Sequence, residues 1–192
     1  MNPQELIDLE EHDAKMRRFL ADDDYAKAYS YCRARRIELA RFARSNPKDA
    51  IASKLLSRLM FNEAMCLDLL GRLQEALRLA LRANKIRQTS AEVYDRYFGY
   101  SIVSRYYARL HDPENARLSL LKAINAVLDG SQKEFFRLTI QDLESLETRE
   151  GNLEASRIYE SMRNHLRHRP QPAGKLMTAA ERLESLDSSL PE

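Results

Sequence analysis

The residues able to do chemistry in this 192-residue chain are few and poorly grouped for catalysis. His165 and His168 stand three apart in "RNHLRHRP", a spacing that puts two imidazoles on one helix face, as a metal would require. No carboxylate or cysteine stands beside them at ligand spacing. The stretch therefore reads as a basic helix end that complements the helix dipole. Cys32 and Cys66 sit among apolar neighbours without a local spacing motif. They read as small buried hydrophobes of a reducing compartment. The chain has no Gly-rich phosphate loop, no HExxH pair and no nucleophile elbow. These residue types predict a non-enzymatic protein with no cofactor and no metal site.

Arginine is the side chain most available for recognition. "CRARRIELARFARSNPK" sets Arg33, Arg36 and Arg44 along one segment, and Arg163, Arg167 and Arg169 form a second cluster. Phosphate binding needs such clusters. Here a net charge of +2 shows that acidic residues balance them, and no helix-turn-helix or stacking-sheet motif accompanies them. Nucleic acid is accordingly not the expected partner. The acidic residues gather before position 25 and the basic ones over 27–44, a pattern that fits two neighbouring helices attracting each other.

The elements that must position these residues are helices. Ala, Leu, Arg and Glu dominate, while 5 Gly, 6 Pro and no Trp leave few breaks. "NPQE" at 2–5 and "NPKD" at 46–49 read as Asn at an N-cap, proline at the first helical position and an acid at the third. "DPEN" at 112–115 has the same Asp-Pro start. Thr89 with Glu92, Ser131 with Glu134 and Thr178 with Glu181 have capping-box spacing. Gly71, Gly130 and Gly151 fall where apolar periodicity stops. These signals predict helices over 3–21, 24–45, 48–70, 72–87, 90–110, 113–128, 132–149 and 152–168. A short ninth helix is predicted over 177–187, after a proline-containing linker. Strand-type alternation is missing, so the chain is expected to be all-α. Its domain is expected over 1–168, with 169–192 as linker and terminal helix. No apolar run approaches the roughly 20 residues needed to cross a bilayer, and the acidic N-terminus has no apolar signal region. No membrane association and a cytoplasmic location are expected.

The helices also repeat. Set "GRLQEALRLALRA" (71–83) beside "HDPENARLSLLKA" (111–123), and alanines coincide at 76 and 116 and again at 83 and 123. Asp23, Tyr25 and Ala28 have the spacing of Gly71, Leu73 and Ala76, and "GNLEASRIYESM" (151–162) supplies Ala155. The anchor alanines 28, 76, 116 and 155 lie 48, 40 and 39 residues apart. A period near 40 that carries two helices predicts a helical solenoid. The anchors are small because a neighbouring helix crosses there. In "VYDRYFGYSIVSRYYARL" (93–110), Tyr97, Tyr100 and Tyr107 are expected in the core. Gly99 in the same helix costs about 1 kcal/mol relative to alanine, which close helix approach would offset.

These residues resemble the tetratricopeptide repeat family. Gly71, Leu73, Ala76, Ala80 and Ala83 match its second-helix pattern. Met60, Ala64 and Leu67 stand where its first helix favours Trp, Gly or Ala, and Tyr, while Glu63 stands at a usually apolar position. The likeness covers about 9–165 in four repeats, lengthened as in the sensor and regulator modules of bacterial signalling proteins. It implies a right-handed superhelical α-solenoid of about four helix pairs plus a C-terminal helix, with first helices lining a concave groove. By register the groove positions are Arg17 in the first repeat and Arg58, Phe61, Asn62 and Met65 in the second. The third repeat gives Phe98, Ser101, Arg105 and Arg109, and the fourth Arg137 and Ile140. The function implied is an adaptor or regulator that binds a protein or peptide segment. Phe61, Met65 and Phe98 would be apolar anchors, and Arg58, Arg105, Arg109 and Arg137 would meet carboxylates. The same likeness allows a ligand- or peptide-sensing regulatory module of a bacterial signalling system. In the tail, Leu176, Ala180, Leu183 and Leu190 form a narrow stripe with Leu186 beside it. That stripe suits a cap on the last repeat, or docking into a groove of its own chain or of a second copy as a homodimer.

Overall fold

The computed structural model describes residues 9–89, 92–128 and 133–168; the side chains of 9, 10, 13, 133 and 165–168 lie outside that description. The described residues form eight helices and no strand. They are α1 (Leu9–Ala21), α2 (Tyr25–Ser45), α3 (Ala50–Leu69), α4 (Leu73–Arg87), α5 (Val93–Arg109), α6 (Pro113–Leu128), α7 (Lys133–Arg149) and α8 (Leu153–His168). The predicted ninth helix, "NPQE", Ser131 and Gly130 fall outside the described residues.

The repeat is written most clearly in four turns. Asp23 (φ 54°), Gly71 (φ 74°), His111 (φ 59°) and Gly151 (φ 75°) all adopt the left-handed conformation, each two residues before the next helix begins. In each turn the following residue's N–H reaches back five residues: Asp24 to Phe19, Arg72 to Leu67, Asp112 to Tyr107 and Asn152 to Glu147, at 2.8–3.0 Å. The left-handed residue itself donates three back, Gly71 to Asp68 at 2.9 Å being the shortest. This is the Schellman motif, which satisfies carbonyls that a helix end would otherwise leave unpaired. The residue after it then caps the next helix. Asp24 accepts from the Lys27 N–H, Asp112 from Asn115 and Asn152 from Ala155. Arg72 lacks a capping acceptor and instead forks onto Glu75 with two bonds of 2.7 Å. The turns recur at intervals of 48, 40 and 40 residues. Counted from the turn, the anchors are Ala28, Ala76, Ala116 and Ser156, each of whose N–H makes the first bond to the cap carbonyl. Ser156 therefore replaces Ala155 as the fourth anchor. Ala155 stands one residue short of that place, four after Gly151 instead of five.

These turns give a direct test. A Cβ added at Gly71 meets nothing within 4 Å, so only its φ of +74° opposes a side chain. Gly71→Ala is expected to cost about 1 kcal/mol. His111→Gly is expected to gain somewhat less than about 1 kcal/mol, because glycine also gives up more freedom on folding. Urea unfolding of both variants checks the pair of signs.

Two of the predicted starts are corrected. In "NPKD", Asn46 closes α2, its side chain donating to the Phe42 carbonyl at 3.0 Å. Asp49 is the cap of α3, accepting from the Ala52 N–H at 2.9 Å. Proline 47 therefore lies between the helices rather than inside one. Thr89 likewise turns backward, its hydroxyl donating to the Ile86 carbonyl at 2.7 Å. A threonine after a helix can serve the end behind it as readily as the start ahead.

The chain divides into two compact units, Met1–Asp95 and Arg96–Glu192, with the boundary inside α5. In the first, α3 packs against both α2 and α4, and α1 packs on α2. Having neighbours on two sides explains why α3 is apolar almost all round. Leu55, Leu59, Met60, Phe61, Ala64, Cys66 and Leu67 are all buried. Leu39, Ala52, Leu55 and Leu59 form one cluster with Phe42 and Leu56 at its edge. Each such leucine contributes roughly 1.5–3 kcal/mol by leaving water. In the second unit α7 packs against α6 and α8. Its Phe136, Ile140, Leu143 and Leu146 recur at helical spacing, and Leu120, Ile124 and Val127 supply the buried face of α6. Tyr97 is buried as expected and Gly99 is buried too, whereas Tyr100 and Tyr107 are only half-buried and Tyr106 takes the core place instead.

Buried charges are paired between successive helices. Glu63, the acid at a usually apolar position, is 3% exposed and accepts from the Arg36 guanidinium of α2. Arg117 of α6 forks onto Glu147 of α7 at 2.5 and 2.9 Å, and Asn152 donates to the same carboxylate. The half-buried Arg163 of α8 meets the half-buried Glu144 of α7 at 2.8 Å. Such charges are tolerated in a core only with partners.

Candidate functional site

The sequence-predicted contact residues fall into two sets, each within one unit. On α3, Arg58, Phe61, Asn62 and Met65 share a face by their spacing of three and four. Much of that face is already in contact with the rest of the unit. Phe61 is buried, and the Arg87 guanidinium lies 5.3 Å from its ring centroid. Asn62 is half-buried, with its amide nitrogen 3.3 Å from His12 Nε2 on α1. Arg58 is half-buried and Met65 is exposed. As an apolar anchor Met65 therefore offers surface and Phe61 does not. Arg17 of α1 is exposed.

In the second unit, α5 carries Phe98, Ser101, Arg105 and Arg109 on one long face. Phe98 is half-buried, Ser101 is buried, and Arg105 and Arg109 are exposed. Beside them Tyr97 stacks on Phe135 at 4.7 Å. Burial pushes the Tyr97 phenol up, and the neighbouring Ser101 and Thr139 side chains oppose the rise. Burial also raises the Asp142 carboxyl above its ordinary value, and the charge of Arg105 opposes that rise. Arg137 of α7 forks onto Glu134 of its own helix at 2.5 and 3.1 Å, and Ile140 is fully buried. Ser101 and Ile140 thus belong to the packing of the unit, while Arg105 and Arg109 remain on its surface.

The basic segment of α2 is engaged locally. Arg35 pairs with Glu38, Arg36 with Glu63, Arg44 donates to the Ala40 carbonyl, and Arg33 lies 5.9 Å from the Tyr29 ring centroid. Sequence reasoning missed a cluster around Tyr31. His12 stacks on that ring at 5.2 Å, and Lys15 and Arg35 lie 5.7 and 5.8 Å from its centroid. Nothing local announces it, because its members come from α1 and α2. The side chains of His165 and His168 lie outside the described residues. Among the described residues, no group of three or more His, Cys, Asp or Glu is placed to hold a metal, and no helix is long and apolar enough to cross a membrane.

The geometry defines an all-helical protein of recurring helix pairs joined by one kind of turn. A solved structure with this fold is that titled "Crystal structure of BtubC (BKLC) from P. vanneervenii", with a TM-score of 0.70 over 93% of this chain and 69% of that one. The two are 16% identical, a likeness of fold. No family model and no curated protein matches the sequence.

Proposed function

We propose that this chain is a non-enzymatic adaptor or regulator of tetratricopeptide-like build, which binds a protein or peptide segment bearing carboxylates beside apolar groups. The observation that carries the reading is a narrow exposed strip on α5. Tyr97, Ser101, Val103, Ser104 and Tyr106 are buried, while Arg105 and Arg109 stand exposed one turn apart. Two guanidinium forks at that spacing match carboxylates on an acidic segment and discriminate by geometry as well as charge. The nearby half-buried Phe98 offers an apolar edge to the same ligand.

The test uses Arg105→Glu/Arg109→Glu. Both positions are exposed, so the fold is expected to survive, and circular dichroism checks this. Partners captured from the native cell extract by the wild-type chain are identified, and the binding segment is titrated against both forms. Exposed ion pairs contribute up to about 1 kcal/mol each, so affinity is expected to fall by about tenfold or more. Equal affinity of the two forms for every captured segment would end the proposal.

A further inference from the structure

Three sulfur atoms meet inside the first unit. Cys32 Sγ of α2 lies 3.1 Å from Met16 Sδ of α1, and Cys66 of α3 is buried in the same cluster. The three residues share one buried cluster with Ala28, edged by Phe19, Leu20, Tyr29 and Tyr31. Both cysteines are free and have no exposed surface, and Met16 is 4% exposed. Thus the most polarizable atoms of three helices converge where water does not reach.

We propose that Met16, Cys32 and Cys66 form a three-coordinate site for a soft monovalent cation, Cu(I). Two thiolates and a thioether are soft donors, which select Cu(I) over cations that prefer oxygen. Zinc asks for four tetrahedral ligands from Cys, His or carboxylates, and the described residues gather no three such groups at a common point. A metal–thiolate bond of about 2.3 Å places the sulfurs of a trigonal site about 4 Å apart. Relative to the 3.1 Å contact, Met16 has to withdraw by roughly 1 Å, which its unbranched, three-bond side chain permits. Binding is an exchange without change of oxidation state: the cation enters, two S–H bonds break, and two protons leave to solvent. The cluster is left with one net negative charge.

The experiment takes the full chain, reduced and free of oxygen, and titrates it against Cu(I) held by the chelator bathocuproine disulfonate. Loss of the chelator's colour is expected to show one cation withdrawn per chain. Cys32→Ser and Cys66→Ser are expected to lose that withdrawal, and Met16→Leu, which conserves volume, to bind more weakly while keeping its helical spectrum. Cu(I) is also expected to raise the urea midpoint of the wild-type chain and not that of Cys66→Ser. No withdrawal by the folded wild-type chain, or full withdrawal by Cys66→Ser, would overturn the site. A Met16→Leu chain that binds as tightly as wild type would equally refute the three-sulfur geometry.

Discussion

Arg87→Ala is expected to destabilise the first unit by about 3–5 kcal/mol, as removal of one partner from a buried ion pair does. Arg87 ends α4 and Asp95 opens α5, with only 7% and 2% of their side chains exposed. The guanidinium donates to Asp95 at 2.9 Å through Nη1 and to Ser57 Oγ at 3.1 Å through Nε, while the ring of Phe61 lies against it. Burial lowers the pKa of Arg87, and the Asp95 carboxylate opposes that shift. After truncation the Asp95 carboxylate keeps Lys54, at 3.4 Å and half exposed, as a cation that only partly compensates it. Arg87→Lys is expected to recover little, because an ammonium cannot span Asp95 and Ser57 with one fork. The double variant Arg87→Met/Asp95→Leu removes both charges and fills their volume, and is expected to regain most of the loss. Urea unfolding of the wild type, Arg87→Met, Asp95→Leu and the double variant closes a cycle. Losses that simply add would show that the two side chains do not act as a pair.

Why the sequence foretold some of this and not the rest follows from the range of each interaction. Helix limits are local chemistry: a glycine with positive φ, or an Asp that accepts from an N–H three residues on, is legible within one turn. All eight described helices were therefore anticipated, and where the expected end lies among the described residues it differs by no more than two residues. The errors arose where a local signal points both ways. Thr89 and Asn46 each serve the helix behind them, which their residue types alone do not reveal. Asp23 and His111 were hidden because the left-handed turn was sought through glycine, although a short polar side chain also tolerates it. Phe61 was read as an anchor by register, yet whether a first-helix aromatic faces a partner or its own unit depends on a distant Arg87. The meeting of Met16, Cys32 and Cys66 is likewise set by how three helices pack, and no spacing in the chain encodes it. Glu63 carried the best clue that was left unused. An acid among apolar positions on a helix with neighbours on both sides requires a cation, and Arg36 lies on the preceding helix.

The anchor positions lead to the second large effect. Ala76→Leu and Ala116→Leu are each expected to cost about 3 kcal/mol, whereas Ser156→Leu is expected to be near neutral. All three stand at the fourth residue of a second helix, directly after the same turn. Ala76 and Ala116 have essentially no exposed surface, so three added heavy atoms must push the backbones apart or leave their rotamers. Ser156 is half-buried, and its hydroxyl lies 2.7 Å from Thr148 Oγ1, a contact that water can replace. It belongs to α8, the last described helix, where Leu153 beside the turn is already 59% exposed. Urea midpoints of the three leucine variants, measured with a common m-value, decide the matter. Equal losses at all three positions would mean that the fourth turn is packed as tightly as the others, and that burial at the anchor does not set the cost. A small loss at Ala76 would mean instead that α3 and α4 can separate, and the tight crossing would no longer explain why that residue is alanine.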